Sequence, residues 1–193
     1  MASGFSFQNL SITKKIHAIT CIAVVAFIVI VLINYLAMND NKVSLDEMGS
    51  SSYKVVKLTS ANVGLLEKLD ELYTQAVTFG EQDLIVKADE VYETIESNIN
   101  LITQLSSSYI NNDIVKELSD YEKISSSIAS GMVNGTADYS KIQQQAQLKT
   151  SLYGSILESF KGAQQKADNR FFELVANTKA RSDEALTLML VVS

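Results

Sequence analysis

The chain of 193 residues contains no proline and no tryptophan, one cysteine (Cys21), one histidine (His17) and eight glycines. So few chain breakers disfavour collagenous, propeller and many-turned sandwich folds, and they favour long helices. A single cysteine excludes an intramolecular disulfide. One histidine, set in the most apolar stretch, excludes the usual His-based zinc sites and Ser-His-Asp chemistry. No other nucleophile–base pair, phosphate loop or metal set can be assembled, so no catalytic residue, cofactor or metal is expected and the protein reads as a non-enzyme. What is present suffices for one domain with a core, because 47% of residues are apolar and 20% charged.

No charged residue lies between Lys15 and Asp40. The 22 positions of residues 16–37 would span about 33 Å as a helix, enough for the hydrocarbon core of a bilayer. A cleaved signal peptide fits less well, since its apolar region runs about 7–15 residues and the best cut, after Ala37, places Tyr35 at position −3. Cys21 follows Thr20 near the start of the run, which argues against a lipoprotein. Residues 16–38 are therefore expected to form a transmembrane helix. Lys14 and Lys15 precede it and no acidic residue does, so residues 1–15 are expected in the cytoplasm. His17 then marks the cytoplasmic edge of the span, and Cys21 faces lipid or a neighbouring helix.

Residues 39–193 carry 14 basic and 22 acidic residues, a net charge of −8. That is no footprint for nucleic acid. At the far end, Arg181, Asp183 and Glu184 give way to the apolar residues 185–193. Nine residues cannot cross a bilayer. Either they cap the helical domain or they begin a second transmembrane helix that continues beyond residue 193. The charged boundary before an unbroken apolar start favours the second reading.

From residue 48 onward apolar positions follow alternating three- and four-residue steps. Met48, Val55, Leu58, Leu65, Leu69, Leu72, Ala76 and Phe79 mark a first helix ending at Gly80, which the spacing extends over 39–79. Leu84, Ala88, Val91, Ile95, Ile102 and Leu105 mark a second. Ser106 to Ser108 and Asn111 to Asp113 form the next turn, with Asp113 as N-cap of a third helix through Ile114, Leu118, Tyr121, Ile128 and Met132. Residues 134–140 turn into a fourth helix through Ile142, Ala146, Tyr153, Ile156, Phe160, Ala163, Ala167 and Leu174. The outer two helices exceed 40 residues, about 60 Å, and the middle two reach 20–28.

The expected fold is thus all-α: an N-terminal transmembrane helix followed by an up-down-up-down antiparallel four-helix bundle over 39–184, with Gly80 and Gly135 at the membrane-distal tip. Near the bilayer only two helices remain, and two helices bury little. A second copy would complete a four-helix stalk, so a homodimer is expected.

The lysine-flanked span, the segment Asn9-Leu-Ser-Ile-Thr-Lys-Lys15 ahead of it, and Leu72-Tyr-Thr-Gln-Ala-Val-Thr-Phe-Gly80-Glu-Gln-Asp83 at the first turn resemble the sensor region of bacterial methyl-accepting chemotaxis receptors. The resemblance covers nearly the whole chain. It implies a periplasmic sensor domain in the bacterial inner membrane, engaged by a small-molecule ligand or a periplasmic binding protein. It also implies a link to the chemotaxis kinase complex only through a cytoplasmic part beyond residue 193. The same module heads some histidine kinases and diguanylate cyclases, which stay open as alternatives. So does a membrane-tethered structural or adaptor bundle, in which 185–193 would pack on the domain.

Aspartate and serine receptors of that family hold a carboxylate with arginines on the distal first helix. This sequence has none there, since Arg170 and Arg181 lie low on the fourth. Lys68 and Lys149 are the cations at similar depth, and Tyr73, Thr74 and Tyr153 could add neutral hydrogen bonds, so these five are the candidate ligand residues. Solvated lysines and core-edge tyrosines are the plain alternative.

Asn62 and Asn98 occupy seam positions, each 18 residues from Gly80. In a hairpin folded at Gly80 they share a layer, and a mutual hydrogen bond would satisfy both amides. That layer reads either as a register lock or as part of a polar ligand site. The many carboxylates, Glu67, Asp70 and Glu71 among them, read as a solvated face.

Overall fold

The computed structural model describes residues 11–111 and 113–192, with side chains through residue 187. Most of the segment expected in the cytoplasm, residues 1–10, lies outside the described residues, as does Ser193. The described elements are helical: α1 (Ile12–Glu47), a π-helical segment (Met48–Ser52), α2 (Tyr53–Phe79), α3 (Gln82–Leu105), α4 (Asp113–Val133) and α5 (Tyr139–Val192). No strand occurs among the described residues. The chain divides into two compact units, one of residues 46–174, the other of residues up to 45 together with those from 175 onward.

In the 46–174 unit, α2 and α3 form a hairpin. Gly80 ends α2 in the left-handed region (φ 70°), and its N–H donates to the Ala76 carbonyl at 2.9 Å. A side chain there would meet no atom within 4 Å, so conformation and not space calls for glycine. Gly135 (φ 68°) serves the α4–α5 turn in the same way. Asp138 follows it and caps α5, its Oδ1 accepting from the Ser140 N–H at 3.1 Å. The neighbouring Ser140 hydroxyl and Lys141 ammonium hold its carboxyl down at about 2.

One core joins α2, α3, α4 and the middle of α5. Leu66, Leu69, Ile95, Ile99, Ile102, Ile114, Leu118, Tyr121, Ile156 and Phe160 are all buried in it. The connection after α3 takes part as well, because Tyr109 and Ile110 are buried and the Tyr109 hydroxyl lies 3.3 Å from that of Ser52.

The helix read over 39–79 is present, with a π-helical turn inside it, where Gly49 and the serines at 50–52 have low helix propensity and Ser50 Oγ donates back to the Asp46 carbonyl. Some readings of the buried faces need correction. The buried stripe of α2 runs Val55, Thr59, Asn62, Leu66, Leu69, Tyr73 and Ala76 in four-three steps, with Leu72 buried beside it, so Val55, Leu69, Leu72 and Ala76 lie where the sequence put them. Leu58 and Leu65 are only half-buried and Phe79 is 65% exposed. Thr59 is tolerated in the stripe because its hydroxyl donates to the Val55 carbonyl at 2.8 Å, leaving no polar atom unpaired. In α3, Ile85 and Ile99 are buried while Leu84 and Leu105 pack at the margin. In α4, Ser125 and Ala129 take the places read for Ile128 and Met132. Asp113 is the first residue of α4 and not its N-cap. The Asn111 side-chain carbonyl accepts from the Asp113 N–H at 3.3 Å.

In the other unit, α1 is long and apolar enough to cross a membrane, and none of its 36 residues is buried. Beyond the apolar run, Arg181 pairs with Asp40 at 3.4 Å, and the Asn41 amide donates to Ser182 Oγ at 3.5 Å.

Candidate functional site

The alternation that builds α2 puts Tyr73 on the buried stripe, and the same rule puts Ser125 on that of α4. A serine where a leucine would fit, next to Ala129 and Ala146, leaves volume unfilled. The result is a cleft of about 230 Å³ between α2, α4 and α5, lined also by Thr74, Val77, Thr78, Ile128 and Lys149.

Tyr73 and Ser125 are each 2% exposed, and neither hydroxyl has a hydrogen-bond partner. Burial raises the Tyr73 phenol far above its ordinary range, and the negative charges of Glu122 and Asp89 add to the effect. Although Asp89 acts on this hydroxyl, it does not reach hydrogen-bonding geometry. The phenol therefore stays protonated, an O–H donor on which the Asp89 carboxylate acts.

Beside the cleft lies a closed polar network. The Tyr121 hydroxyl donates to Asp70 Oδ1 at 2.8 Å, and Lys149 Nζ meets the same oxygen at 2.7 Å. The Lys149 ammonium also sits 5.9 Å from the centroid of the Tyr121 ring, which packs on Tyr153 at 6.2 Å. Burial and then the adjoining Asp70 hold the Tyr121 phenol protonated, so it too remains a donor. Lys149 is thus neutralised before any ligand arrives.

Of the five candidate ligand residues, the fold gathers Tyr73, Thr74 and Lys149 at the cleft. Tyr153 joins only through its contact with Tyr121; its phenol is raised by burial, then by Glu67 and Asp70. Lys68 is exposed on α2 and does not line the cleft. Sequence reasoning missed Ser125, whose signal was its place in the four-three alternation, and Asp70, which it assigned to the solvated face. Asn98 Nδ2 donates to Asn62 Oδ1 at 2.8 Å, while the Asn62 Nδ2 is buried without a partner. These two stand apart from the cleft.

A larger depression of about 570 Å³ is lined by Glu47, Ser50, Tyr109, Lys166 and Arg170 among others. Its guanidinium is already engaged, Nε donating to Glu47 Oε1 at 2.9 Å and Nη1 to Glu173 at 3.1 Å, which raises its pKa further. No buried polar atom is left unpaired there, so the smaller cleft is the stronger candidate.

Near Tyr73, burial raises the carboxyls of Glu122 and Asp89, with Asp89 acting on Glu122 and Glu93 on Asp89. The folded state binds these protons more tightly than the unfolded one. Their ionisation therefore costs stability as pH rises through the folded pKa, and acidification relieves it. Glu122→Gln is expected to raise the thermal midpoint at pH 7, with the advantage vanishing below about pH 4, where both states carry the proton. Melting curves across that range check this.

No family model matches the chain, and comparison with curated proteins and with solved structures gives no match either.

Proposed function

We propose that this chain is the extracytoplasmic sensor and transmembrane signalling module of a bacterial methyl-accepting chemotaxis receptor. In this reading α1 is the first membrane span, with its N-terminus cytoplasmic. Helices α2 to α5 form an up-down-up-down antiparallel bundle in the periplasm, paired with a second copy, and α5 leads into a second span. A small-molecule ligand or a ligand-loaded binding protein engages the bundle. The chemotaxis kinase complex is reached only through cytoplasmic parts beyond residue 193.

The observation that carries this reading is α5 itself, one unbroken helix of 54 residues from Tyr139 to Val192. A helix is stiff along its axis, so a shift of about 1–2 Å at one end is felt at the other. Ligand biases such a shift only through its difference in affinity for the two positions. The apolar, unburied surface of α1 supports the membrane anchor that this transmission requires.

Inserting two glycines after Ser182 in the intact receptor is expected to abolish its swimming response to attractant while leaving ligand affinity unchanged. Retention of the full response would mean that α5 does not transmit the signal.

A further inference from the structure

We infer that the depression of about 570 Å³ on the 46–174 unit is a second binding site, apart from the cleft at Tyr73, and that it takes a small oxyanion: a carboxylate or phosphate on a short polar body. Its use in signalling rests on the sensor reading, but binding itself does not. A titration therefore tests the site and the swimming assay tests the sensor, and each can fail alone.

A surplus of donors is the first ground. The lining holds one carboxylate, Glu47, and Arg170 occupies both its oxygens, Nε at 2.9 Å and Nη2 at 3.2 Å. Lys166 brings three N–H donors and forms no ion pair among the described residues. Ser106 and Ser108 place their hydroxyls 2.8 Å apart, and one bond between them leaves one hydroxyl hydrogen to give. What the wall lacks is a charged acceptor.

Charge is the second ground. Glu47 and Arg170 cancel within the lining, and Glu173, which takes Arg170 Nη1, lies outside it. Lys166 thus leaves a positive site on a chain of net charge −6. An incoming oxyanion gains a charge-assisted hydrogen bond there, about twice as strong as a neutral one. A neutral polyol has only the neutral kind, and an ammonium would face the lysine with no free carboxylate in the lining.

Place and size are the third. A volume of about 570 Å³ lies within the roughly 300–1,000 Å³ usual for ligand pockets. Three parts of the chain form its wall: the π-helical turn with Ser50 and Ser51, the connection after α3, and α5 with Lys166 and Arg170. π-Helical turns are rare and recur at functional sites. A molecule held here touches α5 and the turn that precedes α2 at once, the contact through which occupancy would bias their relative position.

The test titrates the full chain in phosphatidylcholine nanodiscs with four probes on one three-carbon frame: glycerate, glycerophosphate, glycerol and aminopropanediol. Saturation-transfer NMR against empty nanodiscs isolates binding to the protein. One or both anions are expected to bind, about five- to tenfold more tightly than the neutral and cationic probes. Lys166 is exposed, so Lys166→Gln leaves the fold intact and is expected to weaken the bound anion about five- to tenfold, with Lys166→Arg restoring most of the loss. Lys161→Gln, at an exposed lysine of the same helix outside the lining, removes equal charge and is expected to change affinity less than about twofold. The proposal is overturned if neither anion binds, or if glycerol or the amine binds as tightly. It is also overturned if Lys166→Gln keeps wild-type affinity, or if Lys161→Gln lowers it equally.

Discussion

Phe160→Ala is expected to destabilise the 46–174 unit by about 3–5 kcal/mol, the range for deleting a fully buried aromatic side chain. Phe160 has 0% exposure and lies in the core shared by α2 to α5. Its removal loses both the transfer free energy of the ring and the packing around it, since close-packed neighbours relax only partly into the space. Three turns later in the same helix, Phe172 is 67% exposed. Phe172→Ala keeps the helix propensity change of the first substitution and deletes no buried contact. Urea unfolding of the two variants should therefore separate them by several kcal/mol. Near-equal losses would show that α5 does not close the core at this level.

The second large effect changes sign between one substitution and two. Asn98→Leu alone should destabilise by about 1–3 kcal/mol, because it leaves the Asn62 amide with no partner at either end. Asn62 is fully buried and its Nδ2 is already unpaired, so the wild-type pair is only partly satisfied. Replacing both by leucine removes the unpaired Asn62 nitrogen and adds apolar burial, and the midpoint is expected to rise above wild type. The order should be double, wild type, single. A double variant melting below wild type would show that the pair contributes more than a register lock. It would also mean that the polar layer has favourable partners beyond the two amides.

These cases show which parts of the molecule the residue pattern discloses. The Asn62–Asn98 pair was readable because a hairpin folded at a glycine makes equal spacing into spatial proximity. The α5 stripe through Ile156, Phe160, Ala163 and Ala167 was readable because each position is apolar. The α2 stripe was read correctly at Met48, Val55, Leu69, Leu72 and Ala76 but not between 58 and 65, because counting apolar letters credits Leu58 and Leu65 and passes over Thr59, whose hydroxyl the backbone satisfies internally. The same bias hid Ser125. The π-helical segment had no signature beyond Gly49 and a serine run, which also suit an ordinary turn. Tyr109 and Ile110 looked like part of a loop, and only the tertiary fold decides that they cover the end of the core. A third of the cleft's lining was therefore visible, as Tyr73, Thr74 and Lys149 at matching depth. The rest depended on a cavity, which a pattern of residue types does not encode.

The two-residue link at Gly80 also has a kinetic consequence. Bringing α2 and α3 together closes a very short loop, so the entropy lost before their contacts form is small. A chain with no proline has no prolyl isomerisation to wait for, a step that otherwise takes tens of seconds. The hairpin is thus suited to assemble early and to serve as the template on which α4 and the later-synthesised α5 condense.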